Sequence, residues 1–194
     1  MTAQLVKPAL NYLPFYLGAL RRGWSADNVR GAARAQEELE EIDRDAQGFL
    51  DSLDDVEAKG GPVIMPDGTT RPRLPGYRRW IWDGEFCGSI GFRWQPGTNA
   101  LPEHCLGHVG YAVVPWKRGR GYARRALMLL LPEIAERGLD YVEITADPDN
   151  VASQRVVLAC GGELVERARK PACHGGGETL RYRIALANTA SAPR

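Results

Sequence analysis

The residues best suited to chemistry lie in one stretch, from His108 to Ala123, which reads His-Val-Gly-Tyr-Ala-Val-Val-Pro-Trp-Lys-Arg-Gly-Arg-Gly-Tyr-Ala. The pattern predicts a buried strand, a proline stop, a glycine-rich turn and the start of a helix. Gly119 and Gly121 let the backbone of the turn come close to a ligand. Free N–H groups at a helix N-terminus bind anions, and the turn adds the cationic side chains of Lys117, Arg118 and Arg120. The stretch therefore predicts an anion site.

Two common phosphate-binding motifs do not fit this turn. The nucleoside-triphosphate motif Gly-x-x-x-x-Gly-Lys-Ser/Thr is absent from the sequence. The dinucleotide fingerprint needs a third glycine, and Arg124 stands at that position. A nucleoside-triphosphate or NAD site is therefore disfavoured.

Two titratable residues are candidates for proton transfer. His108 lies in the strand predicted before the turn, and an imidazole with a pKa of about 6.5 suits a proton acceptor. Glu143 lies in a second predicted strand, residues 141–146, and is the other candidate base. Each residue also has a structural interpretation: His108 as a packed or hydrogen-bonded histidine, and Glu143 as a structural carboxylate. The sequence does not decide between the catalytic and the structural interpretations.

The cysteine and histidine pattern does not predict a metal site. The four cysteines form no Cys-x-x-Cys pair, so neither a disulfide framework nor a zinc knuckle is indicated. His104, Cys105 and His108 lie close in sequence, but no second pair of ligands follows at a known spacing. We therefore expect no metal.

Composition limits the partners of the chain. Its 194 residues include 25 Lys and Arg against 24 Asp and Glu, with a formal net charge of +1. This charge provides no general attraction for nucleic acid, and nucleic-acid docking on the arginines of the turn region is a disfavoured alternative. No apolar run approaches the ~20 residues of a membrane span, and the N-terminus lacks a signal-peptide h-region. We expect a cytoplasmic protein without nucleic-acid or membrane partners.

The N-terminal third is expected to be helical. Residues 11–22 are predicted to form one helix, and apolar residues spaced by three and four from Leu39 to Val56 predict a long amphipathic helix. We interpret the acidic face of this helix as a solvated outer surface, in preference to a rim that attracts a cationic substrate. Residues 59–76 are rich in Gly, Pro and Arg and predict a loop.

An antiparallel meander is expected to lead into the basic turn. Strands over 77–82 and 86–94 flank Asp83-Gly84, a dipeptide suited to a tight hairpin, and a third strand covers about 105–114. Two glycines thin the second strand, which indicates a bulge or the close approach of a ligand: Gly88 and Gly91.

Helices and strands alternate after the turn. A helix is predicted from Tyr122 to about Arg137, where Pro132 predicts a kink or an early end. The remaining predicted elements are a strand over 141–146, a helix over 152–159, strands over 163–167 and 179–186, and a loop over 170–178. The tail, 187–194, is expected to fray.

These residues resemble a known family. Arg118-x-x-Gly121-x-Ala123 is similar to the Arg/Gln-x-x-Gly-x-Gly/Ala signature of the GCN5-related N-acetyltransferases (GNAT), which bind the acetyl-CoA pyrophosphate at this turn. Segments on either side resemble a bacterial branch described only as predicted acetyltransferases: Gly107 to Tyr111, Asn150-x-x-Ser153 and Gly161-Gly162. The correspondence covers about residues 77–186.

The resemblance implies the fold and its division. It implies an α/β fold of the α+β type, the GNAT fold, with a mixed, largely antiparallel sheet that splays at the cofactor strand and is flanked by helices. Residues 1–194 would form one acetyltransferase domain. Within it, residues 1–76 would be the helical substrate side, 77–186 the acetyl-CoA-binding core and 187–194 a tail.

The resemblance also implies the cofactor contacts, with acetyl-CoA as cosubstrate and no metal. Backbone groups of Val113 and Val114 would meet the acetyl carbonyl and the pantetheine arm. Asn150 would contact the arm, with Ser153 nearby, although helix capping explains both residues as well. The pyrophosphate would be held by Arg118, Gly119, Arg120, Gly121, Tyr122 and Ala123.

The implied activity is transfer of the acetyl group to an amine of a small molecule or peptide. His108 stands where many relatives carry a strand glutamate, so it is the first candidate base and Glu143 the second. Relatives often place a tyrosine as general acid seven residues after the asparagine, where this chain has Val157. Tyr182 or Tyr111 could replace it, or the thiolate could leave unaided. A non-catalytic acyl-CoA-binding module is the alternative, and a homodimer is one option for its assembly.

Overall fold

The computed structural model describes residues 3–27 and 29–186. Five helices lie in these ranges: α1 (Leu13–Arg21), α2 (Gly31–Arg44), α3 (Ala46–Ser52), α4 (Tyr122–Ala135) and α5 (Val151–Leu158). The strands there are β1 (Gln4–Val6), β2 (Val63–Ile64), β3 (Thr70–Arg71), β4 (Gly76–Trp82), β5 (Phe86–Arg93), β6 (Val109–Val113), β7 (Tyr141–Ala146), β8 (Glu163–Arg169) and β9 (Glu178–Ala185). None of these helices is long and apolar enough to cross a membrane.

The strands form two main sheets that meet at one point. The first has the order β1-β4-β5-β6 and the second β7-β9-β8, and every ladder within them is antiparallel. The backbone N–H of His108, just before β6, donates to the carbonyl oxygen of Glu143 in β7 at 2.7 Å. Beyond this contact β6 and β7 belong to separate sheets. The predicted α/β fold, with an antiparallel sheet that splays at the strand before the turn, is confirmed.

Side chains of alternate strand residues pack on two opposite faces of the sheets, as the period of two requires. One face packs against α4, whose inward stripe is Ala126, Leu127, Leu130 and Ile134. The other face of the first sheet packs against α1, α2 and α3 through Trp80, Phe86 and Val114. The outward-facing side chains of β7 are not part of either of these two hydrophobic clusters. Among the described residues, no helix packs on this part of the second face.

The meander before the turn is confirmed, with a shorter third strand than predicted. Trp80 pairs with Ser89, and Ser89 pairs with Ala112. A Cβ at Gly88 would lie 2.2 Å from the carbonyl oxygen of Ala112. The predicted bulge is also observed, because the pairing with β4 shifts register beside Gly88: Ile81 pairs with Gly88 but Trp82 pairs with Phe86. The close approach at Gly88 is made by the backbone of β6.

Three predicted elements need correction. The single long helix is wrong: α2 ends at Arg44 and α3 begins at Ala46, because Asp45 has φ −156° and its carboxylate accepts a hydrogen bond from the Gly48 N–H at 2.9 Å. The predicted loop over 59–76 contains the β2–β3 hairpin. The helix after the turn continues through Pro132 to Ala135, so the early end is not observed. The predicted tail, 187–194, lies outside the described residues.

Candidate active site

The basic turn exposes backbone N–H groups at the start of α4. Gly119 and Gly121 have φ of +75° and +80°, a left-handed conformation that favours glycine. Within residues 3–27 and 29–186, no acceptor is found for the N–H groups of Gly119, Arg120 and Gly121. The first N–H groups of α4 also lack intrahelical acceptors. The turn therefore presents a row of donors to solvent.

This turn fits a pyrophosphate. A Cβ at Gly119 or Gly121 would meet no atom within 4 Å, so the space in front of the turn is open. Arg118 and Arg120 are exposed beside it, and the Nε of Arg118 donates to the carbonyl oxygen of Val113 at 3.2 Å. Donors, helix dipole and cations thus converge on one position, as an anion site requires.

Lys117 does not join this anion site, contrary to the expectation from its charge. Its side chain is buried, with Nζ 2.7 Å from an Asp83 carboxylate oxygen and 3.1 Å from Glu85. The hydroxyl of Tyr122 donates to the same Asp83 carboxylate. Asp83 thus ties both sides of the turn to the β4–β5 hairpin. In the sequence, Asp83-Gly84 indicated only a tight turn, and nothing there indicated this second role.

The contacts among Asp83, Lys117 and Tyr122 shift the pKa of each group. Burial alone would raise the pKa of Asp83, but hydrogen bonds from Lys117 and Tyr122 outweigh it and hold that pKa well below its usual range. Burial would lower the pKa of Lys117, but Asp83 and Glu85 raise it instead. The hydrogen bond to Asp83 raises the pKa of Tyr122 to about 12. All three groups therefore keep their protonation states near neutral pH.

Val113 and Val114 direct their backbone groups to opposite sides of the β6 strand. Val114 donates its N–H to Cys87 at 3.0 Å and accepts the N–H of Lys117 at 3.0 Å, so both of its backbone groups are used. In an antiparallel ladder the neighbouring residue points its backbone groups the other way. Val113 therefore directs its N–H and C=O away from β5, toward the gap between the sheets. Of the two predicted contacts to a thioester, only Val113 has a free N–H in this arrangement.

His108 is enclosed at the point where the two sheets meet. Its side chain is only 1% exposed, and Nδ1 accepts a hydrogen bond from the N–H of Glu143 at 2.9 Å. This bond places the proton of the neutral ring on Nε2. Burial lowers the pKa of His108, and the Glu143 carboxylate only partly offsets this. The ring is a neutral link between β6 and β7, without a free lone pair.

Glu143 points away from the α4 core, on the open second face. One carboxylate oxygen lies 2.7 Å from Nη2 of Arg183, and the other lies 3.9 Å from Nη1 of Arg181. The Arg183 guanidinium also lies over the ring of Tyr141, 3.9 Å from its centroid. The side chain of Glu143 keeps 15% exposure, so water can reach it. Both predicted bases are thus adjacent at the join between the sheets, but only Glu143 has an accessible proton-accepting atom.

Asn150 and Ser153 lie at the start of α5, as predicted. The Asn150 side chain caps the helix by accepting the N–H of Ser153 at 3.1 Å. The hydroxyl of Tyr111 lies 2.8 Å from the Ser153 hydroxyl, which links β6 to α5 across the gap, and burial raises the pKa of Tyr111 to about 12. Val157 is fully buried and Tyr182 is 3% exposed within the core, so neither faces the gap.

The histidines and cysteines of the described residues do not converge. No group of three or more potential ligands among His, Cys, Asp and Glu lies close enough to hold a metal within the described ranges. All four cysteines are free thiols, and His104 uses its carbonyl oxygen in a 2.8 Å contact with Nε2 of His174.

Comparisons with solved structures give the same fold. RimL, a ribosomal L7/L12 alpha-N-protein acetyltransferase in complex with coenzyme A, aligns with a TM-score of 0.65 at 14% identity, covering 97% of this chain and 96% of that chain. The microcin self-immunity acetyltransferase MccE, in complex with acetyl-CoA and AMP, gives 0.59 at 17%, covering 95% and 93%. An acetyltransferase from Agrobacterium tumefaciens gives 0.57 at 20%, covering 95% and 91%.

The family itself follows from the sequence match. No sequence among the curated proteins matches the chain significantly. The family model described as the acetyltransferase (GNAT) domain matches residues 63–163, just over half of the 194 residues, and this range includes the turn, Glu143 and Asn150. The predicted resemblance is confirmed: the chain belongs to the GNAT acetyltransferase family.

Proposed function

We propose that this protein transfers the acetyl group of acetyl-CoA to an amine of a small molecule or peptide. The observation that carries the proposal is the turn from Arg118 to Ala123, whose unpaired N–H groups at the start of α4 suit a pyrophosphate. Solved structures of RimL and MccE contain coenzyme A and acetyl-CoA, which supports the same cosubstrate here.

The gap between the sheets would hold the thioester. Acetyl-CoA supplies an activated carbonyl with a thiolate leaving group. The Val113 N–H points into the gap and would donate to the carbonyl oxygen as negative charge develops there. Gly119, Gly121 and the start of α4 would hold the pyrophosphate, and Asn150 and Ser153 would border the arm. Val114 and Lys117 would hold the turn in place without contacting the cosubstrate, because the backbone groups of Val114 and the ammonium of Lys117 are already paired.

Proton removal from the amine is assigned to Glu143. A protonated amine cannot attack, so its proton must leave before or during formation of the C–N bond. Glu143 has an accessible carboxylate on the open face, whereas the free lone pair of His108 is used in the bond to the Glu143 N–H. We infer that His108 holds the Glu143 backbone in place and that Glu143 accepts the proton directly or through water.

The departing thiolate needs a proton as well. As the amide C–N bond forms, the C–S bond breaks and the sulfur takes up one proton, giving free coenzyme A. Tyr111 is the better of the two predicted donors, because its hydroxyl lies between β6 and α5 next to Ser153, whereas Tyr182 is in the core. Solvent can return the proton to Tyr111 through Ser153.

The test is a thiol-release assay with saturating acetyl-CoA and a broad panel of amines. We expect release that depends on one class of amine, together with an acetylated product of the matching mass. Tight coenzyme A binding without turnover on any amine would instead support a non-catalytic acyl-CoA-binding module. The cytoplasmic location and the option of a homodimer stay predictions from the sequence.

A further inference from the structure

An open trough on the second face of the first sheet is not used by the proposed cofactor site. We call Gly91 and Gly110 the glycine trough, because they pair with each other across β5 and β6 and leave that position without side chains. The next row on the same face, Trp80 and Ser89, is buried under the helices. Gly110 is exposed, and a Cβ there would meet no atom within 4 Å.

The side chain of Arg78 lies at one end of the glycine trough. It pairs with Gly91, and its Nε lies 4.0 Å from the position that a Cβ of Gly91 would take. Its guanidinium has no hydrogen-bond or ion-pair acceptor in the part of the chain that the structure describes. The other half-buried arginines there have acceptors, namely Arg34, Arg71, Arg73, Arg79 and Arg181. A half-buried cation without a partner is costly, which points to a ligand that completes it.

Arg93 adds a second cation on the same face. It lies two residues after Gly91 on β5 and pairs with Gly76, so its side chain projects on the same side as Arg78. No carboxylate pairs with it within residues 3–27 and 29–186. The trough leads from these arginines to the join of β6 and β7, where Glu143 is already neutralised by Arg181 and Arg183. The trough is therefore positively charged and open to solvent.

We propose that the glycine trough, Arg78 and Arg93 bind an acidic group of the amine acceptor, a carboxylate or a phosphate. This inference rests on the proposed acetyl transfer, with the amine at the join between β6 and β7. The Nε of Arg78 lies beside Gly91 of β5, so the acidic group is separated from the amine by at least one strand spacing, about 5 Å. An ω-amino acid or an aminoalkyl phosphate of matching length spans this distance.

The charge also selects among amines. Two unpaired guanidinium groups attract the acidic end of an acceptor. A cationic polyamine, by contrast, is repelled by the same surface, as is any acceptor without a counter-charge.

Acceptors of matched length test this inference. We expect ω-aminoalkanoates or ω-aminoalkyl phosphates to be acetylated with a lower KM than neutral ω-aminoalkanols of the same length, and the two acidic series show which anion is preferred. Arg78→Gln and Arg93→Gln should each raise the KM of acidic acceptors about 10- to 100-fold, as expected for loss of a charge-assisted hydrogen bond. The control Arg44→Gln changes an exposed arginine in the last turn of α2 and should have no effect.

A steric variant and a binding measurement complete the test. Gly110→Leu should fill the trough and raise the KM of the acceptor, while its coenzyme A affinity stays close to wild type. Equal KM for acidic and neutral acceptors would overturn the inference and leave acetyl transfer intact. Calorimetric titration of an ω-aminoalkyl phosphate into the coenzyme A complex separates binding in the trough from acetyl transfer. Binding to wild type that is lost in Arg78→Gln supports the trough even if no amine is acetylated. Absence of binding to wild type overturns the inference.

Discussion

Two hydrogen bonds join His108 to the backbone of Glu143. The backbone N–H of His108 donates to the Glu143 carbonyl oxygen at 2.7 Å, and the ring nitrogen Nδ1 of His108 accepts the Glu143 N–H at 2.9 Å. The same residue thus fixes both the join of the sheets and the position of a carboxylate on the open face. This arrangement separates a positioning role for His108 from a role as the base.

Substitution of His108 distinguishes these roles. His108→Ala leaves the buried Glu143 N–H without an acceptor, which should cost about 1–3 kcal/mol of unfolding free energy and lower kcat more than coenzyme A affinity. His108→Asn can still offer an oxygen near Nδ1 and should recover much of both losses. Urea unfolding and steady-state kinetics measure these effects. A folded His108→Asn variant as inactive as His108→Ala would restore the imidazole as the base.

Because of His108, the free energy of unfolding should decrease as the pH is lowered. Burial lowers its pKa, Glu143 acts in the opposite direction and Arg93 adds to the lowering. Between the unfolded pKa of about 6.5 and the lower folded value, the unfolded chain binds a proton that the native state does not. The contribution is therefore present above about pH 6.5 and is lost as the pH falls below it.

The pH effect is measured as the change in unfolding free energy between about pH 7.5 and 5.5. We expect this change to be smaller in His108→Asn than in wild type. His104 contributes to the pH dependence in the same direction, because burial also lowers its pKa, but it does so equally in wild type and in His108→Asn. An identical pH dependence in wild type and His108→Asn would show that the ring titrates normally.

Asp83 should matter for both stability and cofactor binding. Asp83→Ala removes the acceptor shared by Lys117 and Tyr122 and leaves a buried ammonium with only the exposed Glu85. We expect a loss of about 3 kcal/mol in unfolding free energy and weaker coenzyme A binding, because the turn loses its anchor to the hairpin. Asp43→Ala, on the exposed side of α2, is the control. Coenzyme A affinity equal to wild type would mean that the turn holds its shape without Asp83.

Gly121 tests the anion cradle directly. Gly121→Val places a β-branched residue at φ +80° and puts its side chain in front of the turn, so coenzyme A affinity should fall sharply. Gly138→Val is a matched control, because Gly138 also has φ +80° and no neighbour within 4 Å but follows the end of α4. Both variants should lose similar stability. Equal coenzyme A affinity in the two variants would contradict the site.

Tyr111 tests the route of the second proton. Tyr111→Phe should lower kcat by about 100-fold or more with little change in KM, because a positioned general acid typically contributes this much. Ser153→Ala keeps the phenol but removes its 2.8 Å partner, and a smaller decrease is expected. An unchanged kcat in Tyr111→Phe would indicate that the thiolate leaves unaided.

Local sequence patterns predicted the turn, the meander and the helix that starts after the turn. The glycines at 119 and 121 and the helix start after them are local features, and hairpin and strand signals near 77–94 and 141–146 depend on neighbouring residues only. The break between α2 and α3 was not predicted, because the apolar spacing continues through Asp45 while its carboxylate caps the next helix.

Contacts between residues distant in sequence were decided only by the tertiary structure. His108 meets Glu143 across 35 positions, and Lys117 meets Asp83 across 34. Residue type alone suggested a base in the first case and an anion ligand in the second. Burial and pairing made one a link between strands and the other an anchor, because a buried polar group must find its partner inside the protein. The sequence therefore named the candidate residues, and the packing decided which of them keeps an accessible proton-accepting atom.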